Sequence, residues 1–218
     1  MSNILFRFLF ASILLVLTFG SVSQAAIVTL SFSGQITQAN FYAADPFSGA
    51  ITVGTPFTGT YTFDTDTPDS SPLVAGYSRY LHSGPPYGIN AQIGGFSGTS
   101  ENNATSLNYR IITDPAHVHD IQASNVTFGG VNAYLMQIFL RDTTLTALSD
   151  TNLSSDPPNL SDYQTKNFFL GIGSSSSADA TFTGEVYSIS AVPVPAAAWL
   201  FGSALLGLVG MGRRRSIS

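Results

Sequence analysis

A pair of histidines separated by one residue is the first candidate for chemistry, because imidazole nitrogens bind metals and carry protons. Side chains alternate along a strand, so His117 and His119 would place both rings on one face. A metal would need a further ligand, and Asp114 and Asp120 are the nearest candidates. Two histidines alone do not make a site, and we favour a solvated strand end after Asp114-Pro115.

Three carboxylates within six residues form a second candidate, because calcium prefers clusters of hard oxygen ligands. They belong to Asp64, Asp66 and Asp69. The glycine and the bidentate glutamate of an EF-hand loop are missing at the required spacing. Asp, Thr and Pro are also common in the turn after a strand, so an aspartate-rich turn is the favoured interpretation and calcium binding is the alternative.

Catalytic motifs are absent from the sequence. There is no Gly-x-Ser-x-Gly elbow, no His-Glu-x-x-His zinc motif and no phosphate-binding loop. Residues 94–98 read Gly-Gly-Phe-Ser-Gly, one residue away from the elbow. Glu101 and Glu185 are the only glutamates for a glycosidase pair, and the sequence does not give their separation in space. We therefore predict no catalytic residues and no enzymatic activity, with a secreted hydrolase as the least favoured alternative.

Exposed tyrosines could stack on the apolar faces of sugar rings. The candidates are Tyr42, Tyr77, Tyr80, Tyr87 and Tyr163. Nine tyrosines and sixteen phenylalanines are equally what a β-core and its rim require. Carbohydrate binding therefore stands as an alternative function beside calcium-dependent adhesion.

The composition of residues 26–191 bounds these choices. This segment of 166 residues is long enough for one domain with its own core. It contains all thirteen acidic residues of the chain and four basic residues. Its formal charge is therefore −9, which repels nucleic acid. The chain has no cysteine, so thiolate zinc sites are excluded, and hydrophobic packing must stabilise the domain without disulfides.

Alternating apolar and polar residues predict a β fold. Over residues 28–37 and 57–63, apolar residues and glycine alternate with Thr, Ser and Gln, which indicates half-buried strands. Further strands are predicted at 74–81, 87–96, 106–112, 121–128, 133–141, 167–172 and 180–190. About nine short strands predict an all-β fold, an antiparallel β-sandwich or jelly-roll-like domain. Residues 142–150 are predicted to hold one helical turn, 151–162 a surface loop and 173–178 a hairpin loop.

One short motif recurs four times, with glycine two residues after phenylalanine. It begins at Phe32, Phe57, Phe96 and Phe182, with Ser or Thr between, at intervals that exclude a solenoid repeat. Glycine on the same strand face as phenylalanine indicates a bulge or the close approach of a neighbouring aromatic ring. We interpret the motif as a packing device.

The N-terminal segment indicates export. Residues 1–25 combine Arg7, an apolar stretch and a Ser-Gln-Ala cleavage site, so they are predicted to be a secretory signal peptide, cut between Ala25 and Ala26. An uncleaved membrane anchor is the alternative.

The last 27 residues combine a proline motif, an apolar run and a basic cluster. The proline motif is Val192, Pro193, Val194 and Pro195, and the basic cluster is Arg213, Arg214 and Arg215. The prolines lack amide donors and hold the chain extended, so a helix begins only after them. Residues 196–212 carry no charge and would span roughly 25 Å as a helix, a marginal membrane crossing. The arginines then predict a cytoplasmic end, and a buried C-terminal helix is the alternative.

The order of these three parts resembles the PEP-CTERM sorting signal of exported bacterial proteins. In that family a membrane enzyme, an exosortase, reads the signal, cuts near the proline motif and passes the product to the cell surface. Val192, Pro193 and Pro195 match the motif, whereas Val194 stands where the family has its name-giving glutamate. The resemblance covers residues 192–218 and implies transient anchoring in the inner membrane, processing by an exosortase-like enzyme and an association with extracellular polysaccharide.

The sequence therefore predicts a signal peptide at 1–25, a β-sandwich domain at 26–191 and a sorting signal at 192–218 with a transmembrane helix at 196–212. The predicted function is that of a non-enzymatic exported protein, first anchored in the membrane and then located at the cell surface or in the extracellular matrix. A carbohydrate- or calcium-dependent binding or adhesion module is the alternative. No cofactor, metal site or nucleic-acid partner is predicted, and the expected partners are an exosortase-like enzyme, the inner membrane and extracellular polysaccharide.

Overall fold

The computed structural model describes residues 27–103 and 105–192. The predicted signal peptide, its cleavage site between Ala25 and Ala26, and the predicted transmembrane helix lie outside the described residues. So do Pro193, Val194 and Pro195 and the three arginines of the tail. Within the two described ranges, no helix has the length and apolar character that crossing a membrane requires.

Ten strands and one short 3-10 helix make up the described part of the chain. The strands are β1 (Ile27–Phe41), β2 (Pro56–Asp64), β3 (Tyr77–His82), β4 (Gly88–Ile93), β5 (Phe96–Thr99), β6 (Leu107–Ile112), β7 (His117–Phe128), β8 (Val131–Asp142), β9 (Thr165–Ser174) and β10 (Ser177–Ala191). The 3-10 helix spans Leu160–Asp162. The alternation in β1 is confirmed, because its even-numbered residues from Leu30 to Ile36 are buried.

Eight of the strands close into an antiparallel barrel. Their order is β7-β5-β4-β2-β1-β10-β9-β8, and β8 pairs back to β7. Strands β6 and β3 extend the sheet as a branch from β7. The all-β antiparallel prediction is confirmed, whereas the prediction of a β-sandwich or jelly roll is wrong.

Closure depends on the length of β7. Its first half pairs with β6, and its last two residues, Thr127 and Phe128, pair with β5. Its other edge pairs with β8 along its whole length. The sheet therefore curls back on itself instead of separating into two layers. Irregular positions assist the curvature: the register of β1 against β10 shifts after Ser33 and Ile36, and Asn125 in β7 has a positive φ of 55°.

The barrel interior is filled by aromatic and aliphatic side chains. Phe57 stacks on Phe168 with ring centroids 4.7 Å apart. Phe47 and Ile51, from the connection between β1 and β2, are buried at one end of the barrel, where the Phe47 ring lies 4.7 Å from that of Phe96. The interior is a packed core, so surfaces that bind a ligand lie at the barrel ends or on its outer face.

The Phe-x-Gly motif packs rings onto glycines of neighbouring strands. A Cβ atom at Gly34 would collide with the Phe57 ring, and one at Gly59 would collide with the Phe32 ring. The other two glycines of the motif are covered in the same way, Gly98 by Phe128 and Gly184 by Phe57. The interpretation of this motif as a packing device is confirmed.

Three local predictions need correction. Residues 142–150 hold no helical turn, because the Asp142 carboxylate binds the amides that follow it in an open loop. The strand predicted at 87–96 is the two strands β4 and β5, joined by Gly94 and Gly95 with φ of 56° and 89°. Strand β7 begins at His117, four residues before the predicted start at Ile121.

Candidate functional site

The end of the barrel opposite Phe47 gathers the three histidines of the chain, His82, His117 and His119. Each is less than 10% exposed. The favoured prediction of a solvated strand end for His117 and His119 is therefore wrong. These rings are part of the packed interior at this end.

His117 and His119 lie on the same face of β7, as predicted, but they contact different partners. His117 Nδ1 accepts a hydrogen bond from the Leu148 amide at 2.9 Å and lies 3.8 Å from the Asp142 carboxylate. His119 Nδ1 lies 2.7 Å from the Tyr109 hydroxyl. The two imidazoles therefore belong to two separate polar clusters.

The third ligand of the metal hypothesis is not brought to the histidines. Asp120 follows His119 directly in β7, and its side chain binds Arg110 and Gln137 on the outer face. Asp114 is exposed in the turn after β6. Among the described residues, no group of three or more His, Asp or Glu side chains is arranged to hold a metal ion.

His119 is a neutral ring at physiological pH. It is 7% exposed, and burial lowers its pKa to about 4. Burial also raises the pKa of Tyr109 well above its usual value. Because a buried hydroxyl needs an acceptor, Tyr109 donates to Nδ1 and the imidazole proton resides on Nε2. No carboxylate of the described chain hydrogen-bonds to this ring, so it lacks the orienting acid of a catalytic histidine.

Asp142 is fully buried and organises the loop after β8. Its carboxylate accepts hydrogen bonds from the amides of Thr144, Thr146 and Ala147 at 2.6, 2.7 and 2.9 Å. Burial alone would raise the pKa of Asp142, but these hydrogen bonds outweigh it and hold the pKa well below the usual carboxyl range. The carboxylate is occupied by its own loop and has a structural role.

Two of the three aspartates of the calcium hypothesis bind amides of their own turn. Asp64 Oδ1 accepts the Asp66 amide at 2.9 Å, and Asp69 Oδ1 accepts the Ser71 amide at 2.8 Å. The Asp64 amide in turn donates to His82 Nε2 at 3.0 Å. These contacts are the turn chemistry that the sequence favours.

Glu101 and Glu185 do not form a glycosidase pair. Glu101 follows β5 and Glu185 lies on β10, four strands away in a ring of eight, so they occupy opposite sides of the barrel. Such a pair requires carboxyl groups within roughly 10 Å of each other. Glu101 accepts a hydrogen bond from Asn90 at 2.7 Å, and Glu185 lies 3.9 Å from the Lys166 ammonium.

The candidate tyrosines do not form an exposed row. Tyr80 and Tyr163 are buried, Tyr77 and Tyr87 are half-buried, and Tyr42 is exposed. The Tyr80 hydroxyl donates to the Thr151 carbonyl at 2.7 Å. The aromatic platform that would stack on a sugar is therefore not assembled from these five residues.

A groove of about 790 Å³ lies on the outer face of β2, β4 and β5. Its polar side chains are Thr58, Thr60, Asn90, Gln92, Ser97, Thr99 and Thr127. They point outward because their strand neighbours, such as Phe57, Tyr61 and Ile93, fill the barrel. The rest of the lining is glycine and alanine, so the groove presents hydroxyls and amides without a charged side chain.

Cross-strand pairing arranges the groove side chains in rows. One row runs through Ser190, Ser31, Thr60, Asn90, Thr99 and Thr127, and a second through Ser188, Ser33, Thr58, Gln92 and Ser97. The first row crosses six strands, which at roughly 4.8 Å per strand makes it about 24 Å long. This face is long enough to contact several units of a polymer.

A second cleft, of about 590 Å³, lies on the outer face of β3, β6 and β7. Arg79 and the amide side chains of Asn108 and Gln122 are among its lining residues. The connection between β5 and β6 separates it from the groove, since Glu101 contacts Asn90 in the groove while Asn102 lines the second cleft.

Sequence reasoning missed both clefts, although part of the signal was present. The outward residues of β1 between Thr29 and Thr37 are all uncharged, as are Thr58 and Thr60 in β2, in a segment with thirteen acidic residues. What the sequence lacks is the order of the strands, which decides whether such residues share one surface. No protein-family model, curated protein or solved structure matches this chain.

Proposed function

We propose that the chain is a non-enzymatic exported protein of the cell surface or extracellular matrix, and that its β domain binds neutral extracellular polysaccharide. The observation that carries the proposal is the groove on β2, β4 and β5, in which every polar side chain is an uncharged hydroxyl or amide. In this proposal the sugar is bound by hydrogen bonds to the two rows of side chains, and not by stacking on tyrosine rings as considered from the sequence.

Hydroxyl and amide side chains match the chemistry of a neutral sugar. A sugar hydroxyl both donates and accepts hydrogen bonds, and Thr, Ser, Asn and Gln side chains also supply both roles. Thr58, Gln92 and Thr99 are exposed, so a polymer can lie along the rows without threading into the protein. Because none of its lining side chains is positively charged, the groove does not attract the phosphates of nucleic acid.

The export part of the proposal rests on the two chain ends. The signal peptide at 1–25 would carry the domain across the inner membrane, where the apolar run at 196–212 would hold it. An exosortase-like enzyme would then cut near Pro193 and Pro195 and release the domain to the surface. The resemblance of the tail to PEP-CTERM signals and the chemistry of the groove point to the same ligand class, extracellular polysaccharide.

Matched double variants test the binding. Thr58→Val with Gln92→Met removes a hydroxyl and an amide from cross-strand partners in the groove and keeps side-chain size. Gln35→Met with Thr183→Val makes the same chemical change on β1 and β10, outside the groove. Both double variants are titrated as full chains, by calorimetry, with neutral gluco-, manno- and galacto-hexasaccharides. We expect the groove variant to bind about tenfold more weakly than the wild type, and the control variant to bind as the wild type does. Equal affinities of the two double variants would contradict the proposal.

Cell fractionation tests the sorting. We expect the wild-type chain to lose its tail and reach the cell surface or the medium. Pro193→Ala with Pro195→Ala should leave a longer, membrane-associated form, because the processing enzyme would no longer recognise its motif. If the double variant is processed and released as the wild type is, the sorting proposal is wrong.

A further inference from the structure

We propose that the second cleft, on β3, β6 and β7, binds the carboxylate of an acidic sugar unit through Arg79 and the amides beside it. The inference rests on the proposed polysaccharide function for the identity of the ligand, and it adds a second subsite with a different chemical preference. The groove takes neutral sugar units, whereas this cleft takes a uronate.

Arg79 is a cation without an anionic partner among residues 27–103 and 105–192. It lies opposite Arg110 across the β3–β6 pair, and like charges placed directly opposite each other destabilise a sheet. Arg110 is compensated by Asp120, with which it forms an ion pair on the outer face. Within the described part of the chain, no carboxylate lies within 4.0 Å of the Arg79 guanidinium. One positive charge therefore remains at this point of an acidic domain.

The side chain of Arg79 is held in a fixed direction. Its Nε donates to Asn108 Oδ1 at 3.1 Å. A guanidinium only donates, so the Asn108 oxygen must face Arg79, and the Asn108 Nδ2 group is free to donate elsewhere. Asn108 is 9% exposed and lines the cleft, and no described residue accepts a hydrogen bond from its Nδ2.

Gln122 is oriented by the same rule. Arg110 donates to Gln122 Oε1 at 3.3 Å, which leaves the Gln122 Nε2 group as a donor at the cleft. Arg110 Nε is buried and has no acceptor among the described residues. The side chains of Arg79, Asn108, Arg110 and Gln122 together therefore have more hydrogen-bond donors than acceptors. None of the described residues lining the cleft is acidic.

A surplus of fixed donors around one guanidinium selects for an anionic acceptor. A carboxylate offers two oxygens, which match the planar guanidinium in a bidentate pair and can also accept from the neighbouring amides. Because the cleft lies on the same outer face as the groove, one acidic polymer can contact both. The ligand class is therefore a polysaccharide that contains uronic acid units.

The test compares charge-matched variants of the full chain. Arg79→Gln removes the proposed ligand contact. Arg141→Gln removes one positive charge from an exposed position on β8 that has no ion pair among the described residues. In calorimetry with hexagalacturonate, we expect Arg79→Gln to weaken binding ten- to a hundredfold, and Arg141→Gln to leave it close to that of the wild type. The neutral galacto-hexasaccharide should bind both variants as it binds the wild type.

A second variant keeps the arginine and changes its neighbour. Asn108→Asp removes the free amide donor and places a carboxylate against Arg79, so hexagalacturonate binding should be lost to at least the same extent. Equal binding of hexagalacturonate by Arg79→Gln and Arg141→Gln, or a wild type that does not prefer the acidic hexasaccharide, would overturn the assignment. Failure of the proposed function is distinguishable: Thr58→Val with Gln92→Met would then leave neutral binding unchanged, while Arg79→Gln still loses the acidic ligand.

Discussion

Phe57 on β2 lies over Gly34, its cross-strand partner on β1, so closely that a Cβ atom at position 34 would collide with the ring. The relationship is reciprocal, because Phe32 covers Gly59 in the adjacent pair of the same two strands. Each glycine thus provides the space that a large ring needs to lie flat inside the barrel. This packing of rings on glycines explains why the Phe-x-Gly motif recurs in the sequence.

Substitution of Gly34 by alanine should destabilise the barrel. The added methyl group would meet the Phe57 ring and the backbone carbonyl of Glu185, and neither can move without disturbing the sheet. We expect a loss of about 3 kcal/mol in the free energy of unfolding, measured in urea. Ser33→Ala, on the outward face next to Gly34, should change that free energy by less than about 0.5 kcal/mol. Similar free energies of unfolding for Gly34→Ala and Ser33→Ala would show that the Phe57 ring does not require a glycine at position 34.

The buried His119 should make stability fall in mild acid. Its pKa is lowered to about 4 from an ordinary value near 6.5, so between these values the unfolded chain binds a proton that the folded chain does not. The contribution of the neutral His119 ring to the free energy of unfolding is complete above pH 6.5 and decreases as the pH falls towards 4. His82, whose pKa is lowered by burial, acts in the same direction. From pH 7.5 to pH 5, His119 alone should account for about 2 kcal/mol of lost stability.

His119→Gln separates this effect from the other titrating groups. Glutamine offers Tyr109 a hydrogen-bond acceptor but takes up no proton. The variant should start less stable at pH 7.5 and lose less stability on going to pH 5 than the wild type does. The readout is urea unfolding at both pH values. A variant with the same pH dependence as the wild type would rule out His119 as the responsible group.

Asp142→Asn should release the loop after β8. The carboxylate accepts the amides of Thr144, Thr146 and Ala147, and an asparagine would replace one acceptor oxygen by a donor group. Hydrogen exchange should accelerate at these three amides, while the amides of β1 remain protected. Protection unchanged at all three would mean that the loop is held by other contacts.

The sequence was sufficient to identify strands such as β1 and β2 but not the closure of the sheet. Alternation identified β1 and β2 because one face of each is buried in the core, as Leu30 and Tyr61 are. Closure depends on the pairing of Phe128 with Gly98 and with Val131, and the first of these joins residues thirty positions apart. Periodicity reports which face of a strand is buried and carries no information about its neighbour.

The candidate site was the least predictable part. His117 and His119 were correctly placed on one strand face, but their neighbours Asp142 and Tyr109 come from other strands. The groove and the second cleft likewise exist only once the strands are ordered, since each is built from three or more of them. A common residue such as Thr58 has a proposed role only because cross-strand pairing places it in a row of hydroxyl and amide side chains.

Polysaccharide binding by the groove is tested most directly by chemical-shift mapping of the isotope-labelled full chain. The titrant is the neutral hexasaccharide that binds most tightly in calorimetry. We expect the largest shifts on β2, β4 and β5, at Thr58, Asn90, Gln92 and Thr99. The amides around His119 and Tyr163 should stay unchanged. Shifts centred on that histidine end of the barrel, with the groove unaffected, would contradict the proposal.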